Sequence, residues 1–227
     1  MSSSFGRDRA RLSTIAIQPV KSIVARSMKF LPVAVISVFL ATSGTFAGTE
    51  IASESTVVLD LPRVEIALES AYLLGIFGNP NSYEIGAEFL TARVRWGTMK
   101  ADSWFRGYNQ FYISAMAEPI FRGVENHYFG LNFGSRYNFV RPGNRFVPYI
   151  SVGLGLGWID SHPGVPGAQA QDFTFNILSA AGISYKMNDH WKLNAGILYQ
   201  HLSNGGQTDP NPSLNLLGPQ VGLDYSF

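Results

Sequence analysis

The chain has 227 residues, of which 46% are hydrophobic and 15% charged, and its formal net charge is +1. This length and low charge fraction fit one folded domain, disfavour disorder and give no sign of a nucleic-acid surface. Cysteine is absent, which excludes disulfides, cysteine-based zinc sites and cysteine nucleophiles. The four histidines form no His-Glu-x-x-His motif, so neither a metal site nor a metal hydrolase is expected.

The N-terminal region has the features of an export signal. Arg26 and Lys29 precede an apolar run over residues 30–40, and small residues follow up to Ala47. A run of 11 residues is too short to cross a bilayer as a helix. The alternative is a buried core helix, but the basic flank and the small-residue exit both favour export.

Cleavage after Ala47 would divide the chain into a signal peptide, residues 1–47, and a mature domain, residues 48–227. The stretch before the apolar run is long for a signal peptide. Met28 is therefore an alternative start, which would give a signal of ordinary length, 20 residues.

The mature domain shows alternation with a period of two in eight segments. Successive side chains of a strand point to opposite faces, so this period predicts strands. The segments are 64–75, 83–96, 104–117, 127–140, 145–159, 172–187, 191–203 and 214–227. Each exceeds the roughly 5 to 6 residues of an ordinary strand and suits a tilted membrane-spanning strand of about 9 to 11. The sequence therefore predicts an all-β fold, an eight-stranded antiparallel transmembrane barrel.

The polarity of the two strand faces favours a barrel in a membrane. In the segment 145–159, large apolar side chains occupy one face, while serine and glycine are common on the other. The apolar face contains Phe146, Ile150, Val152, Leu154, Leu156 and Trp158. In a soluble barrel, the bulky apolar side chains would fill the interior, and the small or polar ones would face the solvent. The inverted pattern is typical of bacterial outer-membrane barrels.

The second segment changes phase near Phe89 and Leu90, because its apolar residues move from odd to even positions. We interpret this change as a β-bulge. The other face would then carry charged residues that form an interior network with residues of neighbouring strands. The predicted members are Glu65, Glu69, Glu84, Glu88, Arg93, Arg95, Arg106 and Arg136. Such a network is expected to be structural, since an eight-stranded barrel has room only for interdigitating side chains.

The connections and the C-terminus predict the orientation in the membrane. Connections after the second, fourth and sixth segments are expected to be short periplasmic turns, whereas 160–171 and 204–213 are long and rich in glycine and proline, as external loops are. The last segment is apolar at alternate positions and ends at Phe227. This ending resembles the C-terminal signal that the outer-membrane assembly machinery recognises. Localisation in the bacterial outer membrane is therefore predicted.

One strand face changes from apolar to polar as it reaches the external side. From Trp191 to Tyr199 the odd positions are apolar or aromatic, and His201 and Ser203 continue the same row. Residues two apart on a strand are about 6.5 to 7 Å apart at the backbone, so the imidazole can reach the hydroxyl and act as its base. A Gly-Gly and Asn-Pro loop follows, with N–H groups that could hold an oxyanion. The alternative is a polar pair where the strand leaves the membrane.

These residues resemble the PagL-type lipid A 3-O-deacylases, eight-stranded outer-membrane barrels with a Ser/His/Glu triad on the lipid-facing side. The resemblance is strongest over residues 201–215. It implies that His201 is the general base and Ser203 the nucleophile, and that the oxyanion donors are the backbone N–H of Gly206 and the side chain of Asn211. It also implies that the partner is lipid A or lipopolysaccharide in the outer leaflet, and that no cofactor is needed.

The acid position of that family, twelve residues after the serine, falls on Asn215, where this sequence departs from the pattern. An amide oxygen can orient the histidine, but it has no charge to stabilise an imidazolium. In a serine protease, replacing the triad acid by its amide lowers turnover about 10⁴-fold. We therefore expect, in this order, a slow enzyme, one that recruits Asp209 or another acid, or one that has lost activity.

The sequence thus predicts an outer-membrane esterase that removes the ester-linked 3-hydroxyacyl chain from position 3 of lipid A. Two alternatives remain open: a small non-enzymatic barrel with structural or adhesive loops, and an esterase that acts on another membrane lipid. No headgroup-binding motif separates the two lipid substrates. A homodimer is as compatible with the sequence as a monomer.

Overall fold

The computed structural model describes residues 63–77, 82–96 and 105–227. Eight antiparallel strands, paired in chain order and closed by β8 against β1, form a barrel. They are β1 (Val64–Gly75), β2 (Glu84–Trp96), β3 (Gly107–Arg122), β4 (His127–Phe139), β5 (Phe146–Ile159), β6 (Phe173–Lys186), β7 (Trp191–Ser203) and β8 (Leu214–Ser226). The predicted fold is confirmed. The predicted signal peptide lies outside the described residues, as does its boundary with the mature domain.

The strand register gives the barrel its shear. The paired residues can be followed from β7 through β8 and around to β7 again, where the path arrives ten residues beyond its start. The path runs through Trp191, Tyr225, Ile66, Ala92, Ile113, Phe133, Leu154, Ile177 and His201. Such a stagger tilts the strands against the barrel axis, which closed barrels require. No helix long and apolar enough to cross a membrane occurs within the described ranges.

The two ends of the barrel differ in their connections. We call the end with the β1–β2, β3–β4, β5–β6 and β7–β8 connections the loop end, and the opposite one the turn end. The β5–β6 and β7–β8 loops, 160–172 and 204–213, are long as predicted. The third strand extends beyond its predicted segment: β3 continues to Arg122, so only 123–126 connect it to β4. Most of the β2–β3 connection, which is predicted to be short, lies outside the described residues.

The outer surface of the barrel is apolar, as the alternation predicts. Leu68, Phe111, Val152, Leu154 and Ile197 are each more than half exposed. Aromatic side chains lie near both ends of the strands, and an aromatic belt at each interface is typical of membrane barrels. They include Trp96, Trp191 and Tyr225 toward the turn end and Phe121, Phe129, Trp158 and Phe175 toward the loop end. This surface is the lipid-facing side.

The lumen nearer the turn end contains the predicted charge network. The guanidinium of Arg93 forms buried ion pairs with Glu69 at 2.6 Å and with Asp224 at 3.0 Å. Lys192 pairs with Glu65 in the same region. The guanidinium of Arg136 donates to Asn194 at 3.2 Å and also contacts Ser184. These contacts connect strands across the barrel, which fits the structural role that was predicted.

The lumen nearer the loop end is filled by an apolar core. Its members include Leu73, Ile85, Phe89, Met116, Tyr128, Ile159, Leu178, Leu198, Leu202 and Leu216. The phenol of Tyr128 fits because Gly157 faces it, where a Cβ would lie 2.4 Å from the phenol oxygen. Between this core and the charge network the described residues leave a cavity of about 30 Å³. That volume suits one or two water molecules rather than a lipid.

The apolar core corrects the interpretation of β2. Odd-numbered residues of β2 face the lumen along the whole strand, and its pairing with β1 is continuous through Phe89 and Leu90. The change of phase therefore marks the passage from the apolar core to the charge network, and the predicted bulge is wrong. A register shift occurs instead at Glu84 and Ile85, opposite β3, where the extra residue of β3 is Phe121.

Two predicted members of the interior network lie on the outer surface. Glu84 accepts a hydrogen bond from the hydroxyl of Tyr72 at 2.9 Å and pairs with Arg122 at 2.7 Å. Glu88 accepts a hydrogen bond from Ser70 on β1. Both carboxylates were assigned to the lumen because a bulge would have reversed the faces of β2. Without the bulge, even-numbered residues face outward.

Candidate active site

The outward-facing side chains of β7 become polar near the loop end, where the row finishes with Tyr199, His201 and Ser203. Odd-numbered residues of β7 from Trp191 to Ile197 are exposed, and Tyr199, His201 and Ser203 continue the row as half-buried side chains. The even-numbered neighbours Leu198 and Leu202 belong to the apolar core of the lumen. Burial of these leucines fixes the phase of the strand. The imidazole and the hydroxyl must therefore lie on the lipid-facing side.

Three of the predicted residues meet in a row of hydrogen bonds. The Nε2 atom of His201 lies 3.2 Å from the Oγ of Ser203, and its Nδ1 atom lies 2.9 Å from the Oδ1 of Asn215. His201 and Asn215 are directly opposite each other in the β7–β8 register. This arrangement has the geometry of a nucleophile, a base and a group that orients the base. Asp209 is exposed, and the group that contacts Nδ1 is the amide of Asn215.

The amide of Asn215 has further contacts that the sequence did not reveal. Its Oδ1 accepts a hydrogen bond from the hydroxyl of Tyr199 at 2.8 Å, and its Nδ2 donates to the carbonyl oxygen of Phe77 at 3.1 Å. Tyr199 could have been found from the parity of β7. Phe77 could not, because it reaches the site only when β8 closes the barrel against β1 and the backbone of Ile76 bonds to Asn215.

The β7–β8 loop is built around a buried asparagine, Asn204. Its backbone N–H donates to the Oδ1 of Asn211 at 3.0 Å, and its Nδ2 donates to the carbonyl oxygen of Thr208 at 2.6 Å. Its Oδ1 accepts the backbone N–H of Gly206 at 2.8 Å. Gly205 and Gly206 have φ angles of +68° and +76°, which glycine adopts without strain. The two predicted oxyanion residues are therefore joined through one residue, since Asn204 binds Asn211 with its backbone N–H and Gly206 with its side-chain oxygen.

The two predicted oxyanion donors differ in whether their N–H groups are already engaged in a hydrogen bond. The N–H of Gly206 is engaged by Asn204, whereas the Nδ2 of Asn211 makes no hydrogen bond within the described part of the chain. The amide group of Asn211 is also anchored through its oxygen. A fixed amide with an N–H group to spare is the kind of donor that an oxyanion requires. The sequence did not identify Asn204 as the residue that holds this loop.

The β5–β6 loop holds the β7–β8 loop through hydrogen bonds of one side chain. The side-chain amide of Gln171, at the end of the β5–β6 loop, donates to the Oε1 of Gln207 at 2.9 Å and to the carbonyl of Phe173 at 2.8 Å. Its oxygen accepts the hydroxyl of Thr208. One glutamine thus contacts two successive residues of the loop that carries Gly206 and Asn211.

The β5–β6 loop is in turn tied to the β3–β4 connection by Asp160. The carboxylate accepts the N–H groups of Asn126 and His127 at 2.8 Å each, and the Asn126 amide at 2.7 Å. Burial opposes ionisation, but these hydrogen bonds outweigh it and lower the pKa of Asp160 below its ordinary value. No three His, Cys, Asp or Glu side chains are grouped to hold a metal ion in residues 63–77, 82–96 and 105–227.

The fold and the site together define a class: a bacterial outer-membrane barrel of eight strands with a histidine and a serine in contact on its lipid-facing surface. A family model, lipid A 3-O-deacylase (PagL), matches residues 83–224. This match covers more than half of the chain. The chain therefore belongs to the PagL family of lipid A 3-O-deacylases.

Solved structures agree in fold. The crystal structure of the outer-membrane enzyme PagL is 16% identical in sequence, with a TM-score of 0.50, and the match covers 70% of this chain and 97% of that one. The structure of Neisserial surface protein A is 14% identical, with a TM-score of 0.54, and the match covers 72% of this chain and 97% of that one. No curated protein sequence matches the chain.

Proposed function

We propose that this protein is an esterase of the outer membrane that removes the ester-linked 3-hydroxyacyl chain from position 3 of lipid A. Membership of the PagL family supports the substrate and the reaction. The observation that carries the proposal is the 3.2 Å contact between His201 Nε2 and Ser203 Oγ on the lipid-facing side, near the loop end. A soluble substrate would not need its nucleophile there, whereas a lipid ester at the membrane interface would.

In the first half of the reaction Ser203 becomes acylated. As the hydroxyl oxygen attacks the ester carbonyl carbon, its proton passes to Nε2 of His201. The tetrahedral intermediate then collapses and breaks the bond to the sugar oxygen. His201 returns the proton to that oxygen, which leaves as the 3-hydroxyl group of lipid A, and the acyl chain stays on Ser203.

In the second half water releases the acyl chain. His201 takes a proton from a water molecule, the resulting hydroxide attacks the acyl-serine, and the proton returns to the serine oxygen. A free 3-hydroxy fatty acid leaves, and the enzyme regains its starting state. No cofactor is needed, because both half-reactions move only protons and one acyl group.

Asn211 is the proposed oxyanion donor that needs the least rearrangement. Its amide oxygen is already held by Asn204, and its Nδ2 is available to the negative oxygen of the intermediate. The N–H of Gly206 is the second proposed donor, and it must exchange its bond to Asn204 for one to the substrate. Loss of one such donor typically lowers kcat about 10²- to 10³-fold.

Asn215 is proposed to orient His201 through the 2.9 Å contact at Nδ1. An amide orients an imidazole but supplies no negative charge opposite the imidazolium that forms in each half-reaction. The protein should therefore turn over more slowly than a relative that has a carboxylate at this position. Asp209 is not needed for the proposed mechanism, because Asn215 occupies the orienting position.

The test is mass spectrometry of lipid A from Gram-negative cells that express the chain. Cells with wild type should lose one 3-hydroxyacyl group, and cells with Ser203→Ala should not. Ser179→Ala is the matched control, since Ser179 is an outward-facing serine on the adjacent strand β6 that lies opposite Tyr199 rather than His201 in the register. Each barrel is first shown to be folded in the outer membrane.

The outcomes separate the alternatives. Deacylation that persists in Ser203→Ala would refute this nucleophile. Unchanged lipid A with every variant, from correctly folded barrels, would refute the proposed function. Release of fatty acid from phospholipid instead of lipid A would keep the chemistry and change the substrate.

A further inference from the structure

The side chain of Asn215 contacts three groups in the described part of the chain that bear on its orientation. Its Oδ1 lies 2.9 Å from Nδ1 of His201 and accepts the hydroxyl of Tyr199 at 2.8 Å. Its Nδ2 donates to the carbonyl oxygen of Phe77 at 3.1 Å. The three groups come from both strands adjacent to β8 in the barrel, since Tyr199 and His201 lie on β7 and Phe77 follows β1. The amide is therefore held on both sides.

The contact with Phe77 fixes which way the amide points. A backbone carbonyl oxygen can only accept a hydrogen bond, so the amide NH₂ must face Phe77 and the amide oxygen must face His201. Because that oxygen can only accept, Nδ1 of His201 must carry the proton. The other ring nitrogen, Nε2, then presents its lone pair to the hydroxyl of Ser203, as a general base requires.

The reversed amide would be unproductive. Its oxygen would face the carbonyl oxygen of Phe77 with no hydrogen between them, and its NH₂ would face His201. The imidazole would then have to place its proton on Nε2, toward Ser203, where it could not act as a base. The hydroxyl of Tyr199 adds to the preference, because it donates to the amide oxygen in the observed orientation.

We propose that the hydroxyl of Tyr199 and the carbonyl oxygen of Phe77 are positioning groups that hold the Asn215 amide in one orientation and so keep His201 in the tautomer that can accept a proton from Ser203. This inference rests on the proposed function for its catalytic meaning. It also explains how a neutral amide can occupy the acid position. A carboxylate has two equivalent oxygens and can face His201 either way, whereas an amide must be held with its oxygen toward the imidazole, and these two neighbours hold it so.

The arrangement has a consequence for a restored acid. In Asn215→Asp the second carboxylate oxygen would take the place of Nδ2, 3.1 Å from the Phe77 carbonyl oxygen. Two acceptors at that distance without a hydrogen repel each other. Asn215→Asp should therefore accelerate deacylation far less than the roughly 10⁴-fold that separates a triad acid from its amide, because this repulsion opposes the gain from the added charge. An acceleration of that full size would overturn the inference.

A double-mutant cycle tests the role of Tyr199. With purified barrel and lipopolysaccharide in detergent, Tyr199→Phe should lower kcat about three- to tenfold with little change in KM, as loss of one hydrogen bond predicts. In an Asn215→Ala background the same substitution should have no further effect. Tyr72→Phe is the control, because Tyr72 is an outward-facing tyrosine that bonds to Glu84 and not to the site. Equal losses in both backgrounds would overturn the proposal.

A second readout does not depend on activity. The ¹⁵N chemical shifts of the imidazole of His201, assigned with His201→Gln, report which nitrogen carries the proton. Wild type should show the Nδ1–H tautomer at a pH where the ring is neutral, and Tyr199→Phe should show a mixture. The Nε2–H tautomer in wild type, or equal populations in both proteins, would overturn the inference. An inactive wild type with the Nδ1–H tautomer would instead refute only the proposed function.

Discussion

His201 on β7 lies directly opposite Asn215 on β8, and the imidazole Nδ1 and the amide Oδ1 are 2.9 Å apart. The register of this hairpin therefore sets the contact between base and orienting group, and the loop 204–213 that sets the register also carries the proposed oxyanion donors. The residues of the site thus all lie on the β7–β8 hairpin. Two groups from elsewhere in the chain contact it: the carbonyl oxygen of Phe77, which accepts from Asn215, and the side chain of Gln171, which donates to Gln207.

Removal of the proposed oxyanion donor should strongly reduce catalysis. We expect Asn211→Ala to lower kcat about 10²- to 10³-fold, because the Nδ2 group would no longer stabilise the tetrahedral intermediate. The substitution also removes the acceptor of the Asn204 N–H, so folding of the loop is checked by limited proteolysis. Asp209→Ala in the same loop is the control and should keep full activity. A large loss with Asp209→Ala would mean that an acid has been recruited after all.

Gln171→Ala should reduce deacylation several-fold without unfolding the barrel. The substitution removes the contacts with Gln207 and Thr208, so the loop that presents Asn211 becomes less ordered. His162→Ala is the control, because His162 lies in the same β5–β6 loop but 3.6 Å from Asp160 rather than against the β7–β8 loop. The measurement is the rate of deacylation of lipopolysaccharide by wild type and the two variants under the same conditions. Equal effects of the two substitutions would show that the Gln171 contact is not used.

Removal of the cation from the buried ion pairs should cost far more stability than removal of the cation from the exposed pair. Arg93→Ala leaves Glu69 and Asp224 without their shared cation and should lower the free energy of unfolding by about 3 to 5 kcal/mol. Arg122→Ala removes the exposed partner of Glu84 and should cost only about 0 to 1 kcal/mol. Urea unfolding of barrels folded into vesicles measures both. Similar costs for the two would contradict the assignment of the Arg93 network to the buried interior of the barrel.

Most of the architecture could be predicted because lipid and lumen demand opposite side chains on alternate positions. The row from Trp191 to Ser203 gave the correct face and the correct contact between His201 and Ser203. The same rule failed on β2, since the lumen itself changes from apolar at Phe89 to polar at Arg93, and parity alone cannot distinguish this change from a bulge. Glu84 and Glu88 were misplaced for that reason.

The supports of the site could not be predicted because they depend on contacts far apart in the chain. Phe77 meets Asn215 only when the last strand closes against the first. Gln171 meets Thr208 only through the packing of two loops, which no periodicity encodes. Asn204 follows Ser203 directly, yet its burial becomes evident only once the loop is folded.

Acid should loosen the anchor of the β5–β6 loop. The pKa of Asp160 is lowered in the folded protein, so its ionised form stabilises the loop at pH values above the ordinary Asp pKa of about 3.9, and this stabilisation is lost as the pH falls through the lower folded value. Amide exchange of Asn126 and His127, which donate to Asp160, should accelerate relative to strand amides in that range. Asp160→Asn should remove the pH dependence. Persistence of the dependence in this variant would assign it to another group.

The most direct test of deacylation by Ser203 is the reaction of purified, folded wild type and Ser203→Ala with lipopolysaccharide, followed by mass spectrometry of both products. Wild type should release a free 3-hydroxy fatty acid, produce lipid A with one 3-hydroxyacyl group fewer at position 3, and form an acyl ester on Ser203 in short reactions. Ser203→Ala should yield none of these products. Equal release by both proteins, or no release by a folded wild type, would contradict catalysis by Ser203.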